Sequence, residues 1–296
     1  MAKILILKGD VSNDLSEGYK TYEGLRKVGL DDYFIAEYNQ VIFEINNLNY
    51  TVYYYSSSGE KIDLCHFDLV YIRDFQGYEY ERNCIAQYLK YKKVKFINYD
   101  VSEFQNISKL TQYAQFFINS LPIPDSLYIH KNNIENIDYS KYEFPFIVKS
   151  IVANTGKDNY LVENVSDLKR ALSKGKMIIQ KFIPNTFDYR LIVMGDNVGF
   201  VAKRQRTNPD DHRNNIGVGS KKTIVDLSDV PEGIKLLAIQ SSKALNRQLS
   251  GVDIMTNSVT GENVVLEVNY NFGIASLQAV PQEISSIASY LHKIAN

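Results

Sequence analysis

The sequence predicts an α/β protein whose lobes share a cleft. Three observations carry that expectation. Strand-like and helix-like segments alternate through the first hundred residues, a smaller mixed unit follows a pair of prolines, and the last third joins apolar strands through short polar turns. At 296 residues the chain is long enough for two or three such lobes.

The elements can be taken in order. "KILILK" reads as a strand and "SEGYKTYEGLRKVGL" as a helix ending near Gly29. "YFIAEY" and "YTVYYY" are further strands, "FDLVYIRD" a buried strand, "YERNCIAQYLKYKK" a helix and "VKFINYD" another strand. Short links between them predict an open, largely parallel sheet, with ligands at the carboxyl ends of its strands. Arg73 and Asp74 lie at one such end, where Arg73 either faces a ligand or makes a surface ion pair. "SEFQNISKLTQYAQFFINSLPIPDSL" is helical until Pro122 and Pro124 stop it. "FPFIVKSI", "DNYLVEN", the helix "SDLKRALSKG" and "MIIQKFI" make a small α+β unit. Next come two strands in "YRLIVMGDNVGFVAKRQR", a polar loop, a helix over "PEGIKLLAIQSSKALNRQLS", two more strands and the helix "QEISSIASYLHKIA". The expected domains are 1–100, 101–185 and 186–296.

Composition excludes several classes. Apolar residues make up 45% and charged residues 23%, ordinary for a soluble globular protein. A net charge of −1 gives no global basic field for nucleic acid, although Lys and Arg cluster in residues 201–222. "YTVYYYSSSG" offers a stacking platform for single strands, or more simply a strand ending in a Ser-Gly turn. Cys65 and Cys84 have neither metal-site nor disulfide-framework spacing and are expected to be reduced. No apolar run approaches the ~20 residues of a membrane helix, and the start lacks a signal-peptide pattern, so the cytoplasm is the expected compartment.

The chemistry concentrates near the end. Asp253 and Glu267 each sit inside an apolar run, a costly place for an unpaired charge. Glu267 and Asn269, at i and i+2 of a strand, project to one face. If "SGVDIM" and "NVVLEVN" pair through the turn near Gly261, Asp253 joins them. Two carboxylates and an amide oxygen suit Mg²⁺ together with nucleotide phosphates; the simpler alternative is strand-end carboxylates facing water. Lys149 ends "FPFIVK", Lys109 begins a helix, and the loop "SIVANTGKDNYL" with Gly156 either wraps phosphates or makes an ordinary hairpin turn. Gln180 and Lys181 lie at a strand end, and Asp188 and Arg190 form another i, i+2 pair. Arg190, Lys203, Arg204, Arg206 and Arg213 bring positive charge near the acidic group, a composition suited to clamping a polyphosphate and an anionic substrate. Lys221 and Lys222 fit a solvated face.

The order Lys109, "FPFIVK", "MIIQKFI", "DYRLIVMGD", "AKRQR", "HRNNIGVG", "GVDIM", "LEVNYNFG" resembles the ATP-grasp superfamily. It is most similar to the branch of the ribosomal-protein glutamate ligase RimK and peptide-modifying relatives. The likeness spans roughly residues 100 to 285, and more loosely the N-terminal α/β lobe. It implies an ATP-grasp fold behind an open α/β domain, with ATP and Mg²⁺ (or Mn²⁺) as cofactors. Lys109 and Lys149 would bind phosphates, Gly156 would lie in the phosphate loop, and Gln180, Lys181, Phe182 and Ile183 would meet adenine. Asp188 would lie on the nucleotide side. Arg190, with Lys203 or Arg204, would flank the phosphates, Arg213 and Asn215 would stand near the γ-phosphate and the substrate carboxylate, and Asp253, Glu267 and Asn269 would hold the metal. Lys181 stands where the family carries an acid, the phosphate loop is poor in glycine, and Phe272 replaces a proline. The implied activity is ADP-forming ligation of a carboxylate to an amine on a peptide, protein or amino acid. A nucleotide-binding regulatory module without ligase activity is the alternative. A homo-oligomer is allowed, and neither a membrane nor a nucleic-acid partner is expected.

Overall fold

The computed structural model describes residues 2–9, 17–27, 33–73, 76–103, 108–136, 138, 143–152, 158–208, 211–214, 220–272 and 281–296, with the backbone alone for 17–20, 131–132 and 281–283. The first lobe runs β1 (Ile4–Lys8), α1 (Glu17–Lys27), β2 (Tyr33–Glu37), β3 (Ile42–Ile45), β4 (Tyr50–Tyr55), β5 (Lys61–Asp63), β6 (Leu69–Ile72), α2 (Glu79–Lys92) and β7 (Lys95–Ile97). Four strands form the expected parallel sheet, in the order β2-β1-β6-β7. On one face Leu5, Leu7, Val70 and Ile72 pack with Ile85, Ala86 and Leu89 of α2. On the other, Ile4, Ile6, Leu69 and Tyr71 pack with Leu25 of α1. Strands covered on both faces must be apolar at consecutive positions, which is why "ILIL" and "LVYI" show no alternation.

The tyrosine-rich run does not join that sheet. β4 pairs antiparallel with β3 and β5 in a sheet of its own. Only residues 46–49 separate β3 from β4, far too few for a parallel crossover. The Asn46 side chain accepts the amides of Leu48 and Asn49 and closes the turn. Val52 and Tyr54 face the core of the first lobe, while Tyr55 faces solvent.

The second lobe holds α3 (Lys109–Ile118), β8 (Ser126–Tyr128), β9 (Phe146–Ser150), β10 (Asn159–Val162), α4 (Val165–Leu172) and β11 (Met177–Lys181). Ser108 caps α3 reciprocally with Thr111. The strands form an antiparallel sheet, β10-β9-β11-β8. Phe146, Val148, Met177 and Ile179 pack under α4. Strand alternation therefore turns Ile147, Lys149 and Gln180 to the opposite face.

The third lobe contains β12 (Phe187–Met194), β13 (Asn197–Gln205), β14 (Lys221–Val225), α5 (Glu232–Ala244), β15 (Leu249–Thr256), β16 (Asn263–Asn269) and α6 (Pro281–Ala295). Its antiparallel sheet runs β14-β13-β12-β15-β16. α5 stops earlier than the sequence suggests, because Asn246 turns left-handed (φ 54°) and Leu249 and Ser250 enter β15. Leu191, Val193, Val201, Val252 and Ile254 pack on the α5 side. On the reverse face Ile192, Met194, Phe200 and Leu249 share one core with Ile6, Tyr71 and Ile97 of the first lobe and Leu291 of α6. The far end of that reverse face, carrying Asp188 and Arg190, meets the second-lobe sheet across a cleft.

Candidate active site

The two acidic strands pair through the turn that contains Gly261 (φ +75°), and the register sets Asp253 directly across from Glu267. Asn269, two residues on, lies opposite Gly251. The ladder slips between Asp253 and Ile254, leaving Leu266 as an extra residue on β16. Leu266 lines the cleft beside Met255. The row continues across β12, where Arg190 is registered with Asp253.

Each carboxylate in the row has a cation. Arg190 donates through Nε and a terminal nitrogen to the two oxygens of Asp253, at 2.7 and 2.8 Å. Arg204 donates to Asp188 at 2.6 Å and lies 3.2 Å from Asp253. Lys109 Nζ stands 3.2 Å from Glu267 Oε1. Burial is the largest influence on the inner groups. It raises the Asp188 carboxyl above its ordinary pKa despite Arg204, whereas Arg190 and Arg204 together overcome it at Asp253 and hold that carboxyl low. Burial likewise opposes the charge on Arg204, but Asp188 and Asp253 outweigh it and keep that guanidinium protonated.

The donor set fits a hard dication. Asp253 and Glu267 face each other across one rung, Asn269 follows on the same face, and all three offer oxygen. Among the described residues no group of three or more His, Cys, Asp or Glu could hold a metal; the candidate set is two carboxylates and an amide.

β16 is an edge strand, and side chains of α3 satisfy its outer rim. Tyr113 donates its hydroxyl to the Leu266 carbonyl at 2.7 Å and accepts from Lys149 Nζ at 3.2 Å. Gln112 accepts the Val268 amide at 2.9 Å, and the Pro122 carbonyl accepts that of Val265. These contacts fix Glu267 in place between held backbone groups. Tyr113 and Gln112 are absent from the sequence reading, although Tyr113 lies one helical turn after Lys109 on the same face.

The cleft itself encloses about 560 Å³ including its open mouth, and its walls bring together most of the expected nucleotide-side residues. Lys149, Gln180, Lys181, Phe182, Ile183, Asp188 and Arg213 all line it. Asp211 grips Arg213 through two side-chain hydrogen bonds and its amide, which hold the Asp211 carboxyl down at about 2. His212 reaches from the same segment to Asn159 Oδ1 at 3.0 Å, joining the third lobe to β10, and burial depresses its imidazole pKa. Asn214, buried, donates to Asn185 at 2.7 Å, and Arg206 also donates to Asn185. Neither Asn185 nor Asn214 stands out in the sequence.

Other expected residues fall elsewhere. Lys203 is registered with Tyr189 and Thr223, so it alternates away from Arg204 and Arg190, and its ammonium lies 3.9 Å from the Phe187 ring centre. Arg204, the other choice at that position, is the one in the row. Arg73 is neither on the surface nor in the cleft lining. It is fully buried and donates to Tyr71, Asn271 and the Phe272 carbonyl. Asp74, Gly156 and Asn215 lie outside the described residues.

Two antiparallel sheets facing across a cleft, behind a parallel-sheet lobe, form the fold of ATP-grasp ligases. The ATP-grasp ligase PsnB, solved with a phosphomimetic variant of its minimal precursor, Mg and ADP, superposes with a TM-score of 0.72 at 14% identity, over 100% of this chain and 99% of that one. The RiPP-associated ATP-grasp ligase of Chryseobacterium gregarium, bound to ADP and a leader and core peptide, gives 0.68 at 16% identity over 99% and 97%. The D-Ala:D-Ser ligase VanG of Enterococcus faecalis gives 0.68 at 15% identity over 99% and 98%. The chain belongs to the RimK-like ATP-grasp family, whose domain matches residues 111–286. A probable alpha-L-glutamate ligase of Klebsiella pneumoniae (strain 342) is 28% identical over 142 residues, and the match spans 45% of each protein.

Proposed function

We propose that the protein is an ATP-dependent ligase that activates a carboxylate as an acyl phosphate and joins it to an amine, releasing ADP and phosphate. The observation that carries this reading is the cleft. One wall brings Lys149 and the Gln180–Ile183 segment, the other Asp188, and Arg213 closes the same space next to the Asp253–Glu267 row. Membership of the RimK-like family supports it. The substrate is a peptide or an amino acid, by analogy with the peptide-bound and glutamate ligases described above.

The first step brings a carboxylate anion to a polyanion. Attack of its oxygen on the γ-phosphorus forms the acyl phosphate as the bond to ADP breaks. The amine then adds to the acyl carbon, loses a proton, and phosphate leaves. Lys149 and Arg213 offset the repulsion in the first step, and Gln180 to Ile183 hold the base. Mg²⁺ bound by Asp253, Glu267 and Asn269 would supply further charge neutralisation on the phosphates. The cleft walls screen the acyl phosphate from water.

The test is ADP release with ATP and Mg²⁺ across a panel of amino acids and acidic peptides, on the wild type and on Glu267→Ala. Release is expected to need both an acid and an amine, and to fall by on the order of 10²-fold or more in the variant. Nucleotide binding without turnover for any pair would instead favour the regulatory-module reading, and turnover without an amine a phosphotransferase.

A further inference from the structure

Both carboxylates of the metal candidate are already engaged by cations of the chain. Arg190 takes both oxygens of Asp253, and Lys109 takes Glu267. Two negative and two positive charges therefore cancel along this row, and Arg204 pairs with Asp188 while also reaching Asp253. The front cations are not sealed in as Arg204 is: side-chain exposure is 24% for Arg190 and 11% for Lys109, against 4% for Arg204. They also come from different elements, β12 and the first turn of α3, so each can turn independently.

A dication entering alone must either displace these side chains or sit against their repulsion. If a nucleotide enters with it, the displaced guanidinium and ammonium gain phosphate oxygens as new partners. We propose that Arg190 and Lys109 occupy the cation positions of the resting site and turn to phosphate when metal and nucleotide bind together. The site then holds little metal alone, and each ligand tightens the other by the same factor. Arg204 remains on Asp188 and Asp253 throughout and keeps the inner carboxylates from being stranded. The inference rests on the nucleotide-and-metal reading of this cleft.

Mn²⁺ binding by the full chain, followed by loss of the free-ion paramagnetic resonance signal with and without ADP and corrected for the Mn²⁺ that ADP takes up without protein, tests it. Wild type is expected to bind Mn²⁺ weakly alone and at least about tenfold more tightly with ADP. Arg190→Gln and Lys109→Gln, each removing one competing charge, should bind Mn²⁺ alone several-fold more tightly than wild type and gain less from ADP. Arg190→Lys keeps the charge and should keep the weak metal binding. Thermal unfolding in a chelator checks that each variant is folded, and either neutral variant suffices. If wild type binds Mn²⁺ and ADP together but the neutral variants bind Mn²⁺ alone no better, the inference falls and the functional reading stands. If wild type binds neither ADP nor Mn²⁺ with ADP, both fall.

Discussion

Tyr113 shows what a single hydroxyl contributes. It sits 4% exposed on α3, donates to the Leu266 carbonyl and accepts from Lys149, tying that candidate phosphate lysine to the strand that carries Glu267. Tyr113→Phe keeps the ring and strands a carbonyl. Stability is expected to fall by about 1–3 kcal/mol in urea unfolding, with the ring packing on Phe116 retained. A loss near zero would show that water replaces the hydroxyl. This is also the scale at which the sequence says least. Asp253, Glu267 and Asn269 stand out because charge inside an apolar run is unusual, and period-2 alternation places them on one face. Their partners do not stand out. Arg190 contacts a residue 63 positions away, and Tyr113 one 153 positions away, so no local pattern marks either pair.

At the scale of elements, β15 and β16 are legible as strands, but what packs behind them is not. The fragment "GVD" opens on a glycine whose reason lies in the segment after β16. A Cβ on Gly251 would stand 2.7 Å from the Cβ of Phe272 and 3.4 Å from Ile192 Cδ1. Phe272 is buried, and Arg73 lies 5.5 Å from its ring centre while donating to its carbonyl. The departure from the family's proline thus fills a core position, closed by a glycine below and an arginine above. Gly251→Ala must push Phe272 backward at its stem, where rotamer changes give no relief. A destabilisation of about 1–3 kcal/mol is expected from chemical unfolding. An unchanged midpoint would mean that Phe272 shifts freely. The partner of "YTVYYY" belongs to this scale too: the residue pattern identified the strand, while the four-residue link to β3 chose its neighbour.

Across the whole molecule one apolar core joins the first and third lobes. Ile6, Tyr71 and Ile97 share a core with Ile192, Leu249, Phe272 and the last helix, so the α/β class was legible while the seam between lobes was not. Polar contacts follow the same seam. Asn98 exchanges two hydrogen bonds with Leu249, at 2.8 and 3.0 Å, and the Tyr99 amide donates to Gln248. Arg247, buried, meets Asp100 at 2.7 Å and donates to the Val268 carbonyl beside Glu267. The ion pair therefore joins the first lobe to the strand that carries the candidate metal ligands. Asp100→Asn leaves the Arg247 charge buried without its carboxylate, which is expected to remove about 3–5 kcal/mol. Because the apolar core crosses the same seam, that loss should appear as an earlier single transition rather than as separate melting of the first lobe. Far-ultraviolet circular dichroism and tyrosine fluorescence in urea distinguish the two, since tyrosines number 22 and tryptophan is absent. Coincident curves at a lower midpoint would support one cooperative body, and two steps would show that the Asp100–Arg247 pair alone couples the lobes.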